Sequence, residues 1–319
     1  MINKKRLVFA ALLIALCAIV FTLSACSAGT GISGIFTSSY TTEEFVITED
    51  FDSVLINVIT AEITLAASED NSCRLVVYSQ EKVNFGATVS DGKLTVTHSD
   101  ERAWYERIAF ITESPEVTLY LPKAQYDTLV IDATTGDVSV PAGFTFGTVE
   151  ISLTTGDIDL LSSVIGLAKV KATSGDIELE DMSAASIDIT LTTGDVKLES
   201  IVCGGNISVN ISTGETYLAN VTCHDLTSDG TSGSMSLVDV IASGKITAKR
   251  TTGDIIFERS DAAELQASTS TGDVTGTLLT HKIFITNATT GKIDVPETIE
   301  GGVCKISTTT GDIIIDIAE

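Results

Sequence analysis

A short phrase of two hydroxyl residues, a glycine and, in most cases, an acid recurs ten times between Thr134 and Asp312. Its glycines are Gly136, Gly156, Gly175, Gly194, Gly214, Gly233, Gly253, Gly272, Gly291 and Gly311, each 19 or 20 residues from the next. A unit this short cannot bury an apolar face by itself, so a chain with this period must stack its units into a solenoid.

Aligned on the glycine, the apolar positions coincide. Seven, five and three residues before it stand Val149, Ile151 and Leu153 in one unit, and Ile187, Ile189 and Leu191 in another. Two and four residues after it come Ile158 and Leu160, Ile177 and Leu179, Val196 and Leu198. Alternation at period two marks half-buried strands. A further apolar position recurs seven after the glycine, at Met182, Ile201, Val221, Val240 and Leu279, which predicts a short third strand. The fold class expected is all-β: a single-stranded parallel β-solenoid of about ten coils.

The inward positions three before and two after the glycine are an odd number apart, so a straight strand cannot keep both inside. The chain must bend at the Thr-Thr-Gly-Asp step. The glycines therefore read as structural turns, needed for a positive φ or a close backbone approach. The acids that follow, among them Asp137, Asp157, Asp176, Asp195, Asp254 and Asp273, should stack about 4.8 Å apart, with Lys292 between Asp273 and Asp312 as local relief. Like charges that close need hydration, splaying or a bridging cation, so this ladder is a candidate edge for weak Ca²⁺ binding; no other cofactor is expected.

Upstream, the register degrades. Val54, Ile56, Val58, Ile63 and Leu65 fit around Ala61, while Phe85, Ala87, Val89, Leu94 and Val96 fit around Gly92. The organisation expected is a signal segment over 1–25, a Ser/Gly/Thr-rich tether over 26–42, an irregular β section over 43–128, and the regular solenoid over 129–319. Lys4, Lys5 and Arg6, the apolar run from Leu7 to Phe21, and Leu23-Ser24-Ala25-Cys26 read as a lipoprotein signal with acylation at Cys26. The domain is then expected outside the cytoplasm, anchored to a bacterial membrane through lipid.

The formal net charge is −24, and removal of the three basic signal residues makes the remainder more acidic still. Such a surface disfavours nucleic acid. Cys203 and Cys223, each nine residues after its glycine, should stack on adjacent coils, either as buried thiols or as a disulfide; Cys304 falls on an inward position. His98, His224 and His281 are isolated, and no nucleophile elbow, phosphate loop or zinc pattern is present, so the chain is expected not to be an enzyme. A polysaccharide-active β-helix enzyme is the minor alternative. One segment departs from the repeat: Arg102, Trp104, Tyr105 and Arg107 combine residue types enriched at binding hot spots, which makes them candidate partner contacts or the body of a cap.

The lipobox, the Thr-Thr-Gly-Asp coils, and the lead-in Val117-Thr118-Leu119-Tyr120-Leu121-Pro122 before Leu129-Val130-Ile131 resemble a bacterial β-strand-repeat family catalogued as "putative adhesin" domains of unknown function. That resemblance implies a β-solenoid outside the cytoplasmic membrane, with no catalytic residues to carry over. The function expected is a binding or scaffolding module whose partner is an envelope protein or surface glycan, with a structural or sensory part in an envelope-stress system as the alternative. The isoleucine-rich final coil, Gly311 to Glu319, is expected to leave an open edge that the upstream insertion or a partner covers, or at which two rods meet as an end-to-end homodimer.

Overall fold

Each inward side chain finds its neighbours one coil away. Val149, Ile151 and Leu153 pair in parallel register with Ala168, Val170 and Ala172 on one side and with Leu129, Ile131 and Ala133 on the other. Ile158 and Leu160 lie between Val138 and Val140 and Ile177 and Leu179 in the same way. All of these side chains are buried, and one continuous apolar core runs through the stack. This computed structural model describes residues 40–102 and 114–318, and among them the regular structure is entirely β. The fold is a parallel β-solenoid.

The parity argument that places a corner at the glycine applies a second time. Leu179 and Met182, or Leu198 and Ile201, both point inward three residues apart. The chain bends between them at Asp181, Ser200, Asn220, Asp239 and Arg259, all with φ between 47° and 58° and all six residues after their glycine. Ile201, Val221 and Val240 then fill the short third side. Leu279 does not: Gly276 takes a positive φ, the register shifts between Phe257 and Ser260, and Leu278 is buried in its place.

The two ends break the sequence order. The N-terminal strands are β1 (Tyr40–Ile47), β2 (Ser53–Thr60), β3 (Glu62–Ala67), β4 (Cys73–Gln80), β5 (Val83–Ser90), β6 (Lys93–Asp100), β7 (Glu116–Leu121), β8 (Gln125–Thr135) and β9 (Val138–Val140). β2 and β3 lie directly against β8 and β9, while β6 and β7, later in the chain, pair with the outer edges of β2 and β3. β5 and β4 add antiparallel strands beyond these, and β1 lies antiparallel on β4. Gly92 is thus no coil corner: with Asp91 it forms the tight turn of the β5–β6 hairpin, both at positive φ.

The far end shows the same exchange. Strand Gly302–Thr310 pairs with Leu265–Thr271 on one side and with Lys282–Thr290 on the other. The Gly311 coil therefore sits between the Gly272 and Gly291 coils, and the outermost coil is the one formed by 282–294. The last coil in sequence leaves no open end edge: Ile313 pairs with both Val274 and Ile293, and Ile315 is buried. Glycines at both crossing points permit this threading. A Cβ on Gly302 would lie 1.9 Å from the Ala263 carbonyl oxygen, and one on Gly301 would lie 1.8 Å from that of His281.

Candidate functional site

The corner glycines and the acids after them form a line along one edge of the rod. All ten corner glycines have positive φ, and a Cβ on Gly194 would sit 2.0 Å from the carbonyl oxygen of Gly175. Both reasons for glycine therefore apply together. Close stacking here leaves the backbone N–H of each following acid without a carbonyl opposite it, and the acid one coil back supplies the acceptor. The Asp157, Asp176, Asp195 and Glu215 N–H groups donate to Oδ1 of Asp137, Asp157, Asp176 and Asp195 at 2.9, 2.8, 2.8 and 2.7 Å. Asp273 and Asp312 continue the pattern on Asp254 and Asp273, and Ser234 Oγ serves Asp254.

The ladder is thus a chain of carboxylate-to-backbone bonds, which answers the repulsion in a way the spacing alone did not suggest. Among the described residues no group of three or more His, Cys, Asp or Glu comes together as a metal site. The coil exchange also moves Lys292: it lies beyond Asp312 at the end of the ladder, donates its N–H to Asp312, and ion-pairs through Nζ with Asp294 at 2.6 Å. At the other end Glu62 follows Ala61, and burial, then Asp137 and Glu116, raise its pKa.

Of the insertion, Arg102 alone lies within the described residues; Trp104, Tyr105 and Arg107 lie outside them, as does Cys26. The Arg102 guanidinium forks onto both Asp100 oxygens at 2.9 Å and donates to Gln80 Oε1 at 2.8 Å. It therefore ties β6 to β4. A cavity of about 300 Å³ opens beside the end of β1, lined in part by Phe51, Cys73, Lys123 and Tyr126. The Lys123 ammonium is engaged there by the Phe51 carbonyl and Asp52, and Tyr126 stacks between Phe51 and Phe146.

Two buried cations, which hydrophobic periodicity passes over, interrupt the core. Arg250 occupies the inward position three before Gly253, where other coils hold Leu153, Leu191 or Ile211. Gly230 makes room for it: a Cβ there would lie 2.9 Å from the Arg250 side chain. Its guanidinium donates to the Lys249 carbonyl at 2.7 Å and to Ser228 Oγ at 3.3 Å, and burial pushes its pKa down to about 10. Lys282 reaches past Gly302 to Asp261 at 2.5 Å and the Ala262 carbonyl at 2.6 Å, and so spans the interposed coil. A sequence signal existed for Arg250, in the Gly230 that precedes it in the same row. For Lys282 there was none, because the exchange leaves the glycine spacing unchanged.

Cys73, Cys203, Cys223 and Cys304 are free, buried thiols, so Cys203 and Cys223 are unbonded. Burial pushes Cys73 up to about 11 and Cys223 and Cys304 up to about 12, well away from the thiolate a nucleophile needs.

None of the curated proteins matches the chain. Among solved structures it is similar to a "putative lipid binding protein" of Parabacteroides distasonis ATCC 8503, with TM-score 0.50 and 16% identity over 73% of this chain and 94% of that one. It is also similar to a "putative adhesin" of Bacteroides fragilis NCTC 9343, with TM-score 0.44 and 15% identity over 76% of this chain and 98% of that one. These likenesses concern the fold. The Toastrack DUF4097 family model matches residues 51–215 and 202–319, nearly the whole β-solenoid, and the chain therefore belongs to the Toastrack DUF4097 family.

Proposed function

We propose that this chain is a non-catalytic binding or scaffolding rod, held on the outer side of a bacterial membrane by lipid on Cys26, with an envelope protein or a surface glycan as its partner. The observation that carries this reading is the uniformity of the coils between Gly136 and Gly253. Their outward side chains, mostly polar with Ile165, Val202 and Ile241 exposed among them, repeat along the rod in coils 19 or 20 residues long with no long insertion, and the described cysteines are buried thiols. Such a surface suits an extended, repetitive contact rather than conversion of a small substrate. The lipobox supplies the anchor, because an acidic domain has little affinity of its own for anionic membranes.

Metabolic labelling with a fatty-acid analogue tests the anchor: wild type should label and partition into detergent, and Cys26→Ala should do neither. Equal labelling of the mutant would overturn it. Cross-linking on intact cells, with Cys26→Ala as the control, tests the partner class. Recovery of surface proteins or glycans supports the binding reading, whereas recovery of membrane regulators alone would favour a sensory part in an envelope-stress system.

A further inference from the structure

The outermost coil at the Gly291 end is built like an interior coil but has a neighbour on one side alone. Among the described residues, strand Lys282–Thr290 pairs with no strand but Gly302–Thr310, and the one further contact to its backbone is the Thr298 hydroxyl on the Lys282 carbonyl, so no described strand covers its outer edge. Its inward row, Phe284, Thr286 and Ala288, continues the core row Cys304, Ile306 and Thr308 yet is half-exposed; Ile293, in register with buried Ile313, is 43% exposed. A solenoid end normally carries a polar cap or a charged edge. From Ile283 to Thr290 this strand reads Ile-Phe-Ile-Thr-Asn-Ala-Thr-Thr, without an acid or a base.

That absence of charge points to the occupant. Two copies of a chain with net charge −24 repel each other over most of their surfaces, and association needs a place where charge is missing. The edge is also self-complementary, since a β-strand can pair antiparallel with its own copy about a two-fold axis. Such a contact is closed, whereas pairing with the opposite end of another rod would propagate into a filament. At the opposite end the edge strands are β1, which carries Glu43 and Glu44, and β5, which belongs to an antiparallel hairpin and so does not continue the parallel stack. We infer that the Lys282–Thr290 strand is a homodimer interface, pairing antiparallel with the same strand of a second copy about a two-fold axis near Thr286. The two sets of Phe284, Ala288 and Ile293 then close each other's core, and two rods join end to end.

Ile285 allows a test that leaves the fold intact, because its side chain points outward and is 55% exposed. In a two-fold pairing centred near Thr286, the two copies of residue 285 lie on the same face within one diagonal step. Sedimentation velocity of the full-length chain in density-matched detergent should show a concentration-dependent dimer. Ile285→Lys alone and Ile285→Asp alone should each weaken it by at least about tenfold at unchanged melting temperature, since each opposes like charges. An equimolar mixture of the two should restore the dimer. A monomer at all concentrations would overturn the inference, as would species larger than a dimer or a mixture that fails to recover.

Discussion

One carbonyl oxygen decides which residue each corner accepts. At Gly194, φ is +134° and the Gly175 oxygen occupies the place of a Cβ, so Gly194→Ala meets a backbone penalty of about 1–3 kcal/mol before the neighbouring coil has moved. Chemical denaturation should show a loss at the upper end of that range or beyond it. The second corner behaves in the opposite way. Ser200 holds φ 58° with open tolerance for a smaller residue, and Ser200→Gly should raise stability by about 0.5–1 kcal/mol, because the left-handed cost exceeds the extra chain entropy of glycine. Glu62 supplies a pH dependence. Its folded pKa is raised, so its charged form opposes folding above that pKa, and the opposition fades as pH falls through it toward the unfolded value. Glu62→Gln should therefore raise the melting temperature at pH 7 and leave it nearly unchanged at pH 4, where wild type is itself largely protonated. The first corner was legible because one residue type marks it in every coil. The second was not, since Asp, Ser, Asn and Arg share no single chemical signature.

Between coils, the decisive contacts are polar ones that hydrophobic periodicity does not register. The Asp176 carboxylate accepts the Asp195 N–H at an exposed position, so Asp176→Ala should cost about 0.5–1.5 kcal/mol, the net worth of a bond whose donor water can then reach. Asp176→Asn keeps an acceptor and should recover most of the loss in thermal melts. A ladder held together by bridging cations would lose as much with Asn as with Ala, and would respond to millimolar Ca²⁺ beyond an ionic-strength-matched monovalent salt. The spacing showed that these acids stack, but it could not show that the corner leaves a backbone donor for each of them to satisfy. Lys282 and Asp261 pose a sharper case. Removing one member strands a buried charge, and Asp261→Ala should cost about 3–5 kcal/mol, with Lys282→Met added to it restoring a substantial part.

At the scale of the whole rod, the repeat made the architecture readable while the order of its ends stayed hidden. Parallel strands in a solenoid are interchangeable to first approximation: Ile313 can stack on Val274 as readily as Ile293 could, and both coils arrive 19 or 20 residues after a glycine. What selects between them is local, in Gly301, Gly302 and the reach of Lys282. The candidate contacts Trp104, Tyr105 and Arg107 fall between β6 and β7 in sequence and lie outside the described residues. The N-terminal hairpin carries the same pattern as a coil, because Phe85 and Leu94 alternate as coil residues do although their strands run antiparallel.

The exchanged ends also constrain how such a protein can change length over evolution. Duplicating a unit between Gly136 and Gly253 inserts one more identical layer into a stack that accepts it. A copy made at either extremity would have to be threaded past a coil already in place and would sever the Lys282–Asp261 link or the β2–β6 ladder. Growth and shortening are thus confined to the interior, and the two ends travel as fixed fittings on a shaft of adjustable length.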